Sequence, residues 1–258
     1  PTVERVYFDD DKDKFAYMMV TASGSRIQFR QTSAGNVYET GDSSYAVLVT
    51  PQGLDPTDPE EITTFTVTTT DGTQMTYDWK DGVFQCTKIK DRNGNYITIT
   101  YNPYGQLETI TDTLARVVTV NYTDGYPTSI TQPWKDTNGS GSNVTHQWAT
   151  FTYMNMDGGG GRPSFDTNFS GLTPIGPPDG SPLKVLQKIT YADGSSTAFN
   201  YNAYAQVYKV TNIAADLSSH ELNSTEINIS SPSSPTDCPR FTSTSTTVEN
   251  FNLNGSGV

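Results

Sequence analysis

Apolar and polar positions alternate with a period of two along much of this chain, in short runs closed by turns. The clearest stretch is residues 89–130, where Ile97, Ile99 and Tyr101 share one side of a strand and Thr98 and Thr100 lie between them. Asn102-Pro103-Tyr104-Gly105 then turns the chain, and Leu107, Ile110, Val118 and Val120 carry apolar character back. Period-two runs broken by Gly, Pro and Asn predict consecutive antiparallel hairpins. Asp71-Gly72 between residues 65–70 and 75–77 is such a signal, and the device recurs at Asp81-Gly82, Asn93-Gly94, Asp124-Gly125 and Asp193-Gly194. Strands are also predicted over 3–8, 15–20, 26–29, 45–50, 147–154 and 184–190, and no convincing helix is. The expected class is all-β.

The pattern divides the chain into five parts. Residues 1–61 form an N-terminal β segment ending in the loop PQGLDPTDPEE, and residues 62–131 a regular repeat sheet. Residues 132–183 break the rhythm with GGGG and several prolines, as a surface excursion with its own role would. The sheet resumes over 184–217, and 218–258 is a Ser/Thr-rich extended tail. YNPYGQLETI at 101–110 and YNAYAQVYKV at 201–210 match closely, which makes them copies of an internal repeat. Its defining positions are Tyr101, Gly105, Leu107, Tyr122, Gly125, Tyr201, Tyr204 and Val207.

These residues also carry a resemblance. Gly94-Asn-Tyr96, Thr100-Tyr101-Asn102, Gly105-Gln-Leu107, Ile110-Thr-Asp112, Arg116, Val120-Asn-Tyr122-Thr-Asp124-Gly125 and Ile130 resemble the tyrosine–aspartate (YD) repeat of the RHS family. Residues 186–210 look like a further copy, and Asp237-Cys238-Pro239-Arg240-Phe241 resembles a segment downstream of such repeats in large exported bacterial proteins. The resemblance covers 62–130 and 184–241, is weak over 1–50 and is absent over 132–182. It implies a wide, twisted, spiralling antiparallel sheet, as in toxin-complex shells and teneurins. The paired Asp-Pro-x-Gly elements of the family's self-cleaving motif do not occur, so no protease activity is carried over.

Charge narrows the partners. A net charge of −12 and an isoelectric point near 4.4 oppose nucleic acid and anionic membranes. Hydrophobic content of 34% is low, and fifteen Tyr and eleven Phe compensate with large amphipathic surfaces. No run approaches the roughly 20 apolar residues of a membrane helix, so membrane insertion is not expected. Starting at Pro1 without a basic or apolar leader, the chain reads as a processed piece of something longer, extracellular or at a cell surface.

Candidate chemistry is sparse. Cys86 and Cys238 are the disulfide candidate, which would close a long loop. Asp9, Asp11 and Asp13 have a spacing that suits Ca²⁺, but Lys14 stands where a calcium loop needs Gly, and a solvated acidic turn is the better reading. Sequons occur at Asn121, Asn138, Asn143, Asn168, Asn223, Asn228 and Asn254; Asn138 and Asn143 are the glycosylation candidates. His146 and His220 lack a nearby nucleophile pattern. Trp79, Trp134 and Trp148 fit either sheet packing or a sugar-stacking surface.

The resulting expectation is a non-enzymatic extracellular structural protein without cofactor or metal. As an RHS/YD-repeat segment it would form a shell, surface appendage or self-assembling filament, associating through sheet edges or the C-terminal tail. The alternative is a carbohydrate- or cell-surface-binding adhesin module that uses the 132–182 excursion.

Overall fold

The computed structural model describes residues 2–7, 15–21, 23–54, 61–135, 143–165, 182–215, 220–229 and 241–248. It is an all-β chain of antiparallel strands in two compact units, residues 1–120 and 121–258, and no α-helix occurs among the described residues.

In the first unit, β1 (Thr2–Tyr7), β2 (Phe15–Val20), β3 (Arg26–Gln31), β4 (Val37–Thr40), β5 (Val47–Val49), β6 (Thr64–Thr68), β7 (Gln74–Lys80) and β8 (Val83–Lys90) pair in sequence. Thr2 and Val3 of β1 then pair with Gln85 and Phe84 of β8, which closes an eight-stranded barrel. The period-two pattern explains its filling. Val3, Tyr17, Phe29, Tyr38, Leu48, Phe65, Val67, Tyr77, Phe84 and Cys86 are buried together, while Thr64, Thr66 and Thr68 alternate with Phe65 and Val67 on the opposite face. Aromatic rings dominate: Phe65 lies 4.4 Å from Phe84, and Tyr17 packs edge-on against Tyr38 at 5.0 Å, centroid to centroid. A closed barrel of this size is wide enough for side chains alone. Residues 51–61, whose sequence suits either an exposed loop or a seam between parts of the sheet, fall between β5 and β6, which pair directly; residues 55–60 lie outside the described residues.

Two details here differ from the sequence reading. A strand expected over 45–50 begins only at Val47, because Tyr45 is left-handed, with φ at 51°, and exposed. The four-residue β4 carries too little alternation to be seen in sequence. Beyond the barrel, β9 (Tyr96–Tyr101), β10 (Leu107–Asp112) and β11 (Val117–Thr123) continue from β8 as hairpins.

The second unit holds β12 (Tyr126–Lys135), β13 (Asn143–Met156), β14 (Leu183–Tyr191), β15 (Ser196–Tyr201), β16 (Val207–Ile213), β17 (Glu221–Ile229) and β18 (Phe241–Val248), each antiparallel to the next. The expected excursion thus contains β13, at fourteen residues the longest strand among those described, and a short 3₁₀ turn at Gly159–Gly161. The expected tail contains β17 and β18, and all of β18 is exposed.

Two kinds of hairpin turn recur among the described residues. At Asp81-Gly82 and Asp124-Gly125 both residues have positive φ, as a two-residue hairpin needs. Residues 21–25, 69–73, 91–95, 102–106, 112–116, 191–195 and 202–206 instead form a five-residue device. In each, the first N–H donates to the fifth carbonyl and the fourth N–H donates back to the first carbonyl. Its fourth residue is left-handed: Gly24, Gly72, Gly94, Gly105, Ala115, Gly194 and Ala205. Asp71-Gly72, Asn93-Gly94 and Asp193-Gly194 therefore belong to three-residue loops rather than two-residue turns.

Candidate binding platform and the repeated unit

The repeat seen at 101–110 and 201–210 extends further upstream in space than in sequence. Strands β8, β9 and β10 begin at Val83, Tyr96 and Leu107, and β14, β15 and β16 begin at Leu183, Ser196 and Val207. A β-bulge sits at matching places: Thr76 and Tyr77 face Lys88 and Cys86, and Thr152 and Tyr153 face Lys188 and Leu186, leaving Thr87 and Gln187 as the extra residues. The repeat tyrosines reach back to these bulges. Tyr101 donates its hydroxyl to the Cys86 carbonyl at 2.8 Å, and Tyr201 donates to the Leu186 carbonyl at 2.7 Å.

The turns correspond atom for atom. Asn102 Oδ1 accepts from the N–H groups of Tyr104 and Gln106, both at 3.0 Å, and Asn202 Oδ1 does the same for Tyr204 and Gln206. The Asn102 and Asn202 amides donate to Gln106 and Gln206 side chains at 3.0 and 2.9 Å. Asp112 builds the same turn with a carboxylate, which accepts from Leu114 and Arg116. Leu107 and Val207 pair opposite Tyr101 and Tyr201. Tyr122 lies on β11, half-buried, and Gly125 supplies the second left-handed residue of its two-residue turn.

A different arrangement lies on β12 and β13. Trp134 stacks flat on His146, 3.8 Å between centroids and 3° between planes, and Trp148 meets both edge-on at 5.6 and 4.6 Å. Both indole N–H groups donate to one acceptor, Gln132 Oε1, at 3.0 and 3.1 Å. The register explains the convergence. Gln132 faces His146 and Trp134 faces Val144, while Trp148 is the extra residue of a bulge, because Thr131 pairs with Gln147 and Ile130 with Ala149. Alternation places Gln132, Trp134, Val144, His146 and Trp148 on one face, and Trp148 keeps it although it is the bulge's extra residue. Both indoles remain 42% exposed. Sequence reasoning singled out the two tryptophans and missed Gln132 and His146 as their partners. The spacing Gln132-x-Trp134 and His146-x-Trp148 was the signal available.

The remaining candidates separate. Cys86 is buried in the barrel, with its thiol toward the Lys88 carbonyl, and burial pushes that thiol above its ordinary value. Cys238 and Asn138 lie outside the described residues, as do Asp9, Asp11 and Asp13. Asn143 is exposed at the start of β13, paired with Lys135, on the face opposite the indoles. Asn121 differs: its amide nitrogen donates to Ser129 and Thr131 hydroxyls at 3.0 and 3.1 Å. Trp79 packs at 4.9 Å from Phe84, and the Arg5 guanidinium sits over both rings while donating to the Ile62 carbonyl. Among the described residues no three His, Cys, Asp or Glu side chains gather as metal ligands.

Ionisation follows the same division between turns and core. Hydrogen bonds from Thr69, Asn95, Arg116 and Ser195 hold the turn carboxylates Asp71, Asp91, Asp112 and Asp193 below their usual range. Burial raises the phenols of Tyr17, Tyr38, Tyr77, Tyr101 and Tyr201.

No known family profile matches the chain, and no curated protein does. Among solved structures it is similar to a crystal structure of TcdB2-TccC3-TEV, at 9% identity and a TM-score of 0.35. That match covers 86% of this chain, which spans 11% of the other. It is also similar to a porin-like protein from Bacteroides uniformis ATCC 8492, at 13% identity and a TM-score of 0.33, covering 96% of each chain. Both likenesses are weak.

Proposed function

We propose that this chain is a non-enzymatic, extracellular structural segment of RHS/YD-repeat type. It contributes a β scaffold to a shell, surface appendage or filament and extends by strand addition at β18. The observation that carries this reading is the duplicated unit: two bulges, two tyrosine tethers and two identical Asn–Gln turns at constant spacing. Such units bury each face only by stacking on neighbours, which suits an extended sheet. The barrel's apolar interior is the inverse of a membrane barrel, whose lipid-facing side is the apolar one. Strand β1 pairs with β2 along its whole length and with β8 at Thr2 and Val3. Strand β18 pairs with β17 on one side and carries Thr and Ser with no charge or proline across its eight residues, so nothing in it guards the other side. Sedimentation and negative-stain imaging across a concentration series test this. Concentration-dependent association that Thr244→Lys with Thr246→Lys abolishes is expected. A monodisperse monomer, or association indifferent to the lysines, would overturn the strand-addition reading.

A second reading has its own observation. The indole cluster on β12 and β13 is exposed, stacked and polar-tethered, as a surface-recognition site would be. In this reading the scaffold displays an adhesin-like contact surface.

A further inference from the structure

The geometry points to a shallow site for a neutral oligosaccharide, seated by the C–H faces of its pyranose rings on Trp134 and Trp148. This rests on the surface-recognition reading and names its ligand. The indole N–H groups are both committed to Gln132 Oε1, so the site offers ring faces rather than hydrogen-bonding edges. One face of Trp134 is covered by His146 at 3.8 Å, which leaves its opposite face for a ligand. Val144 stands directly across from Trp134 and is 45% exposed, and Trp148 meets Trp134 edge-on at 5.6 Å, so these apolar side chains line one strip with His146 among them. From Val144 to Trp148 the strand advances about 13 Å, longer than one sugar ring.

A ligand for such a strip needs a flat apolar face and a rim content to stay in water. A pyranose with equatorial hydroxyls has both, since its axial C–H groups pack on the indole quadrupole. The chain's −12 charge disfavours anionic ligands, including acidic glycans. The shared Gln132 acceptor fixes both rings before binding, which lowers the ordering cost of an otherwise open site.

The test uses the full chain with Trp79→Phe, so that fluorescence reports Trp134 and Trp148 alone. Cellohexaose and chitohexaose are titrated, with tetramethylammonium as the cationic control. A saturable shift with at least one hexaose is expected. By calorimetry, Trp134→Ala and Trp148→Ala should each weaken binding at least ten-fold, and the exposed Val144→Asp several-fold, with unchanged far-ultraviolet dichroism. Val144→Asp keeps the test sound if a tryptophan variant fails to fold. Hexaose binding unaffected by all three substitutions would overturn the inference. Binding of tetramethylammonium alone would overturn it too, while leaving surface recognition by this cluster intact. No binding of any probe would remove both.

Discussion

If the turns at 102–106 and 202–206 are one device, exchanging their fourth residues should have opposite effects. Gly105 has φ at 75° and Ala205 has φ at 58°, so both occupy the left-handed region. A residue with a Cβ costs about 1–2 kcal/mol there, while glycine returns about 0.5–1 kcal/mol of that through the flexibility it adds to the unfolded chain. Ala205→Gly should therefore stabilise by about 0.5–1 kcal/mol. Gly105→Ala should destabilise by a similar amount from the backbone alone. A Cβ at 105 would also come within 3.2 Å of Gln85 Nε2, which now donates to the Gly105 carbonyl at 3.0 Å. Losing that bond adds about 1 kcal/mol, for a total near 2 kcal/mol. Urea unfolding reads both, with Trp79 reporting the first unit and Trp134 and Trp148 the second. Midpoints should move in opposite directions at unchanged slope. Shifts of the same sign would refute the equivalence of the turns.

Two further predictions concern the barrel. The Tyr38 hydroxyl is buried without a hydrogen-bond partner, so Tyr38→Phe should leave stability unchanged or raise it by up to about 1 kcal/mol; a loss above that in urea would show that the hydroxyl is bonded. Burial raises the folded-state phenols of Tyr17, Tyr38 and Tyr77 above the unfolded value near 10. Their contribution is fully present below pH 10 and is lost as pH rises past it, because the unfolded chain ionises first. The urea midpoint should fall between about pH 10 and 12, and a flat midpoint across that range would contradict the assignment.

Much of the strand pattern was legible because one face of most strands is covered and the other is not. Residues 15–20 were bounded correctly, since FAYMMV lies between Asp/Lys and Gly/Ser runs. Barrel closure was not legible: the pairing of Val3 with Phe84 joins positions far apart in the chain, and nothing local encodes it. Similarly, β18 was hidden by Ser and Thr, whose alternation has no apolar half, and its pairing with β17 rests on cross-strand contacts such as Asn228 with Ser243. In the repeat, Tyr-Asn and Gln were visible as letters, but the tether to the bulge was not. The bulge residues Thr87 and Gln187 differ in type, and only the backbone register makes them equivalent. At the platform, the two tryptophans could be named from sequence. Their convergence on Gln132 depends on the register between β12 and β13, which neither strand encodes locally.

The claim on which the account depends is that residues 83–112 and 183–212 are the same structural unit, each held by its tyrosine. Tyr101→Phe and Tyr201→Phe keep the rings and remove only the hydroxyl-to-carbonyl bonds. Each should cost about 1–2 kcal/mol, Tyr101→Phe in the transition reported by Trp79 and Tyr201→Phe in that reported by Trp134 and Trp148. In the double variant the two losses should add to within about 0.5 kcal/mol. Urea unfolding in which one substitution is silent, or either shifts only the other unit's transition, would contradict the claim.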